Sequence, residues 1–303
     1  MDEDSAIPAV ETLDESPADS AVAAAAPPPV AIPPAAPAPV PITPTPLAFV
    51  YALGRVEPRF PSLAIEKEFA QATGNADYRG LDDRYTFKAA INEHRYLARS
   101  VCWILVIQGL ETYILAPRDP ADLDLLKASF REEASTDDLD TVIGLRRHIA
   151  PPELCNGLAL PVVEFDQLYS FDRESLVGSI PRPESVPAKS ESRFRSTAAG
   201  LFDQLVQLAD NAGATDEHRA LNYLTVRYPR IYAAATEQYD RNFAFTGVEV
   251  LPSRLSGVRS IVDVVFGFRH RETDVVEKLF ARVDVTEEFP FLVTKLSPFY
   301  ERP

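Results

Sequence analysis

The sequence predicts an α+β protein in which two subdomains pack mainly antiparallel β-hairpins against helices, preceded by a disordered Pro/Ala-rich tail. Three observations lead there. Residues 1–46 carry twelve prolines and seven acids without one Lys or Arg, so they lack the apolar area that would offset the entropy of ordering them. The run VCWILVIQGLETYILAP, residues 101–117, places two β-rich stretches around a polar turn, which is a hairpin signal. Beyond residue 198, helical spacing gives way to a succession of strand-like runs, the order of an α+β domain rather than of alternating β and α units.

The elements follow in order. In the tail, the Ala/Pro run favours extended polyproline II. Folded sequence begins at residue 47, where Leu47, Phe49 and Tyr51 alternate with Ala48, Val50 and Ala52 as in a strand ending at Gly54. PSLAIEKEFAQATG then spaces Leu63, Phe69 and Ala70 helically, with Gly74 as the stop. One helix is expected through DDRYTFKAAINEHRYLARS, with Phe87, Ile91, Leu97 and Val101 near one face. In the hairpin from Cys102 to Ala116, Trp103 and Ile107 are expected inside. Asp119 stands where it would cap a helix opening at Pro120. DTVIGLRRHI and LALPVVEFDQLYSF are strand-like, joined by the turn chemistry of APPELCNG.

Residues 181–197 have three prolines and no period, and are taken as a linker between subdomains at 47–180 and 198–303. After it comes a helix striped by Leu201, Phe202, Leu205 and Leu208, then a helix capped by Thr215 and kinked or restarted at Pro229. The last four runs read as a β-meander. In it Val283 and Val285 alternate with Asp284, so one sheet face should be wetter.

Composition narrows function. A net charge of −15 disfavours nucleic acid, whose nonspecific binding needs lysine and arginine against phosphate, and disfavours anionic membranes. No run of some eighteen apolar residues is present, and the acidic opening MDEDSAIPAV does not resemble an export signal. Cys102 and Cys155 lie far apart without CxxC spacing, so they are expected to form neither a disulfide framework nor a zinc site, in keeping with a reducing cytoplasm. Nucleotide-loop, dinucleotide, nucleophile-elbow and zincin motifs are missing; hence no catalytic residue, metal or cofactor is assigned. His94, His148, His218 and His270 each adjoin an arginine and are read as structural. Cys155 with His148, or Cys102 with His94, could be paired on paper as nucleophile and base, and the inert buried cysteine is the favoured reading.

One polar constellation stands out, DNAGATDEHRALNYL from Asp210 to Leu224. Helix punctuation explains much of it: Gly213 permits a turn, Thr215 caps the next helix, and Asp216 with Glu217 suits its dipole. Arg219 and Asn222 remain. One turn apart, they are expected to face Asp210 and Asn211, either locking the turn internally, which is favoured, or presenting a fork to a carboxylate or peptide backbone. The candidate binding residues are Asp210, Asn211, Thr215, His218, Arg219 and Asn222, with Glu153 and Asn156 from the turn around Cys155.

The same constellation, with FVYALGRVEPRF at the start and GVEV, VDVVF and EKLFARVDVTEEFPFLVTKLSPFY at the end, resembles the C-terminal domain of unknown function of PatG-type and PatA-type cyanobactin maturation proteases, over about residues 47–300. The resemblance implies a role where ribosomally made peptides are cut and cyclised. The sequence departs from that family in having no protease domain to carry a peptidase triad, and in reading PSRLSGVRS where family members carry cysteines. It is therefore expected to be a free-standing, divergent relative: a non-catalytic accessory protein that binds precursor peptide or a peptide-maturation enzyme. A peptide-modifying enzyme and a structural oligomerisation module are the alternatives, and a homo-oligomer is left open.

Overall fold

A computed structural model describes residues 48–74, 80–182, 190–208 and 210–300. The tail expected over residues 1–46, and residues 183–189 within the expected linker, lie outside the described residues. The elements run β1 (Ala48–Arg59), α1 (Leu63–Thr73), α2 (Arg84–Glu93), α3 (Arg95–Ser100), β2 (Cys102–Ile107), β3 (Leu110–Pro117), α4 (Leu123–Ser129), β4 (Asp138–Ile149), β5 (Pro161–Asp172) and α5 (Arg173–Ser179). Then follow α6 (Glu191–Val206), α7 (Asp216–Arg227), α8 (Arg230–Asp240), β6 (Phe243–Pro252), β7 (Ile261–His270), β8 (Val276–Asp284) and β9 (Phe291–Pro298). The fold is α+β, as the sequence pattern requires.

The first five strands close into a barrel in the order β1-β2-β3-β5-β4. Every pairing is antiparallel except β3 with β5, the winding of an OB-type Greek-key barrel. Closure removes the free edges an isolated hairpin would leave. Alternation along β1 sends Val50, Ala52 and Val56 inward, where they meet Trp103, Leu105, Val142 and Phe165. Phe69, Phe87 and Phe130 from the helices continue this core, with Phe69 and Phe87 stacked at 5.1 Å. The strand passes through Gly54 instead of ending there. A Cβ at that position would meet the Val106 carbonyl oxygen at 2.6 Å, so the glycine marks a close approach of two backbones. The single helix expected over residues 82–100 is two, broken at His94, whose backbone is extended (φ −118°, ψ 90°). The hairpin turn falls on Gln108 (φ 50°) and Gly109 (φ 83°), both left-handed as a two-residue turn requires.

α6 begins at Glu191, inside the stretch taken as linker, because Phe194 and Ala198 extend its buried stripe of Leu201, Phe202 and Leu205. Thr215 caps α7 by accepting the His218 N–H, and the chain restarts as α8 after Pro229. β6-β7-β8-β9 form an open antiparallel sheet whose Val262, Val264, Phe266, Ala281 and Val283 pack against α6, α7 and α8. Asp284 corrects the expected wet face: it is 2 % exposed, accepting from Thr286 and paired with Arg259. Asp263 on the same face is likewise buried, under its ion pair with Arg282. Pro46–Pro303 form one unit, and among the described residues no helix is long and apolar enough to cross a membrane.

Candidate functional site

The 211–222 constellation sits where the outer face of the barrel meets α7. Tyr51 and Leu53 point out of β1 and, with Ile143, pack against Tyr223, Val226 and Val206. Burying this patch leaves polar turn groups between the two halves, and each must find a partner there. Asn211 and Asn222 do so as a reciprocal carboxamide pair, Asn211 Nδ2 donating to Asn222 Oδ1 at 2.6 Å and Asn222 Nδ2 to Asn211 Oδ1 at 3.1 Å. The second Asn222 amide hydrogen goes to the Tyr51 carbonyl at 2.8 Å, while the Tyr51 N–H donates to the Gly213 carbonyl at 2.9 Å. Gly213 is required twice over: its φ is +70°, and a Cβ there would land on the Tyr51 backbone. Gln108 adds a clamp from the β2–β3 turn, donating to the Val206 and Leu208 carbonyls at 3.1 and 2.9 Å, and Tyr113 donates to Ala212 at 3.0 Å.

Arg219 does not face Asp210 and Asn211. It is 3 % exposed and turns the other way, donating to the Val285 carbonyl at 2.7 Å and to that of Glu287, with its guanidinium over the Phe49 ring. Helical geometry explains the split. Arg219 and Asn222 differ by three residues, but a long side chain leaving the same helix can reach a neighbouring loop that a short carboxamide cannot. Burial lowers the Arg219 pKa, against the pull of Asp216. Two carbonyl-directed nitrogens of one fixed fork tie β1, α7 and the end of β8 together.

The remaining expected site residues divide. Thr215 serves as cap, and Asp210 lies exposed with φ 60°. His218 is half-buried, its Nδ1 has no hydrogen-bond partner, and burial lowers its pKa although Glu217 and Asp210 oppose this. Glu153 and Asn156 are exposed in the turn between β4 and β5, away from this joint. That turn supplies a correction: Cys102 and Cys155, expected to stay apart, form a disulfide with Cα atoms 6.0 Å apart. Their separation of 53 residues hid the pairing, since only barrel closure brings β2 beneath the β4–β5 turn. Bonded, neither cysteine can supply the thiolate that a nucleophile requires.

Sequence reasoning missed a buried acid and a half-buried one. Asp140 inside the barrel accepts from the Val56 N–H at 2.7 Å and the Ser170 hydroxyl at 2.6 Å. Burial nonetheless raises its pKa to about 6, the two hydrogen bonds opposing. At the joint, Arg118 pairs with Asp166 of β5 and reaches Glu288 in the β8–β9 loop at 3.4 Å. Burial, and a hydrogen bond with Asp166, push Glu288 up to about 7. An acid standing two residues before an apolar strand run, as Asp140 does, was the available signal. Among the described residues no three His, Cys, Asp or Glu side chains are placed to hold a metal ion. What the joint can do chemically is brace, because nearly all of its donors end on main-chain carbonyls or on each other.

Residues 188–299 match the family model for the PatG C-terminal region, which covers α6 to β9. A solved structure described as "PatG Domain of Unknown Function" is similar to the chain with a TM-score of 0.69 and 19 % identity, covering 83 % of this chain and 98 % of that one. No curated protein matches the chain. The chain therefore has the PatG-domain fold, with a PatG C-terminal-type segment over residues 188–299.

Proposed function

We propose that the protein is a non-catalytic accessory component of a ribosomal-peptide, cyanobactin-like maturation pathway, binding precursor peptide or a modifying enzyme. The observation that carries this reading is the PatG C-terminal match over residues 188–299; the bracing of Asn211, Arg219 and Asn222 supports it, since these groups act within the fold. The setting proposed is cytoplasmic, where the Cys102–Cys155 bond is open to reduction by cellular dithiols. A precursor peptide incubated with the protein should keep its mass, with or without zinc or nucleotide, yet bind with a micromolar Kd, about −8 kcal/mol. A mass change would overturn the non-catalytic assignment. Failure to bind precursor peptide or any modifying enzyme would leave the oligomerisation module.

One observation favours an enzyme instead. The Nδ1 of His218, buried with no hydrogen-bond partner, is a base that the brace does not use. His218→Ala discriminates: it leaves binding intact under the accessory reading and abolishes a mass change under the enzymatic one.

A further inference from the structure

The barrel leaves a cleft of 380 Å³ on its outer side, between the end of α3, strands β2 and β3, the start of α4 and the disulfide-held turn. Its lining is largely apolar: Pro61, Ile114, Pro117, Leu123, Leu154 and Val162 are among its walls. The volume accommodates an aromatic or branched aliphatic side chain, within the range of ligand pockets. Two features separate it from an ordinary packing defect. Leu154 stands at its rim 50 % exposed, fixed there by the bond from the adjacent Cys155 to Cys102. Without that bond the turn's backbone hydrogen bonds are mostly to itself, Leu154 to Pro151, Gly157 to Pro152 and Leu158 to Cys155, so the disulfide holds the wall in position. Arg99 is the second feature.

Most arginines around the barrel are paired, Arg59 with Glu111, Arg95 with Asp124, Arg118 with Asp166 and Arg147 with Glu164; Arg146 on β4 is exposed like Arg99 but does not line the cleft. Arg99 lines the cleft exposed, and among the described residues no ion pair or hydrogen bond of its side chain is found. In a chain carrying 45 acids against 30 Lys and Arg, an unpaired guanidinium beside an apolar cavity is complementary to a ligand with an apolar group next to a carboxylate. We propose that this cleft receives the C-terminal residue of a peptide chain, an apolar side chain entering between Leu154 and Leu123 while its α-carboxylate meets Arg99. The inference rests on the accessory, peptide-binding reading and adds to it the site and the end of the peptide that is recognised.

Trp103 is the chain's single tryptophan and lines the cleft, so its fluorescence reports occupancy. The probes are acetyl-Ala-Ala-Phe as free acid and as amide, titrated into the full-length protein and followed by fluorescence and calorimetry. The free acid should bind saturably and at least about tenfold more tightly than the amide, one charge-assisted contact being sufficient for that ratio. Arg99→Glu, on the surface, should abolish or reverse the preference, and Leu154→Glu should weaken both probes about tenfold or more. Ala116→Phe, which fills the cleft, should remove binding; because it could disturb the barrel, the two surface variants carry the test. Equal affinities for acid and amide, no saturation at millimolar probe, or wild-type affinities in both surface variants would overturn the proposal. Octanoate binding as tightly as the free acid would do so too, by showing a site for small carboxylic acids rather than for a peptide end. If a full precursor binds wild-type and Arg99→Glu protein alike, the cleft proposal fails and the accessory reading stands.

Discussion

The barrel and the helix-backed sheet bury similar strand sequences by different means. In the barrel, closure of β1-β2-β3-β5-β4 leaves no edge, and the problem moves to the outside. There, two apolar patches need covers, one provided by the Cys155 turn over Ile104, Ile114 and Val162, the other by α7 over Tyr51, Leu53 and Ile143. The sheet keeps β6 and β9 as free edges and has helices on one face only. Its second face is covered by its own long side chains, Arg282 on Asp263 and Phe280 against Phe299. Stability at the barrel therefore depends on a few fasteners acting on whole segments, whereas on the sheet it is spread over many pairs. The joint at Gly213 is where the first arrangement holds the second.

That contrast can be broken by attacking its fasteners. The largest effect is expected from Gly213→Ala, where a left-handed backbone and a collision with Tyr51 each cost roughly 1–3 kcal/mol, about 2–6 together. Denaturant unfolding should then separate into two transitions, with Trp103 fluorescence reporting the barrel and circular dichroism reporting both halves. A single coincident loss would show that the halves unfold as one even without their joint. Cys155→Ser comes next: releasing a bond that closes a 53-residue separation should cost about 2–4 kcal/mol, read as a lower denaturant midpoint in Trp103 fluorescence. Dithiothreitol should reproduce the shift in the wild type and have no effect on the variant.

Arg219→Ala should destabilise by about 1–3 kcal/mol, because the Val285 and Glu287 carbonyls lose their donor in a buried place. Asp216→Ala, which removes only the exposed partner of Arg219, should change stability by less than about 0.5 kcal/mol. Equal losses in the two would mean that the ion pair, rather than the carbonyl bracket, holds the joint.

The last contrast is with pH. Burial pushes Asp140 and Glu288 up to about 6 and about 7 in the folded protein, above the ordinary carboxylate range. The folded state thus holds protons that the unfolded state has released. Stability from these groups is fully present below about pH 4 and is lost as pH rises through 6 and 7. Asp140→Asn should flatten the slope from pH 4 to 6, and Glu288→Gln the slope from 4.5 to 7, while carboxylates held low elsewhere, such as Glu277 beside Arg241, are untouched. A slope unchanged in both variants would remove these acids from the account.

What the sequence by itself determined was whatever local chemistry controls. The hairpin at Gln108–Gly109, the Thr215 cap, the restart at Pro229 and the four C-terminal strands all follow from turn residues, caps and side-chain periodicity, which act over a few positions. The α+β class follows from their order. Tertiary structure decided everything requiring contact between distant segments. It made a barrel of strands that read as hairpins, because the parallel β3–β5 pairing joins residues 48 apart, Ile114 to Val162. It bonded Cys102 to Cys155, buried Asp284 on a face that alternation alone would leave wet, and turned Arg219 toward Val285. Asn222 could be placed from sequence because its partner Asn211 is one turn and one loop away; Arg219 could not, because its carbonyl partners lie 66 and 68 residues downstream. Local periodicity tells a side chain which face it occupies, and only the folded chain brings to that face the group it will meet.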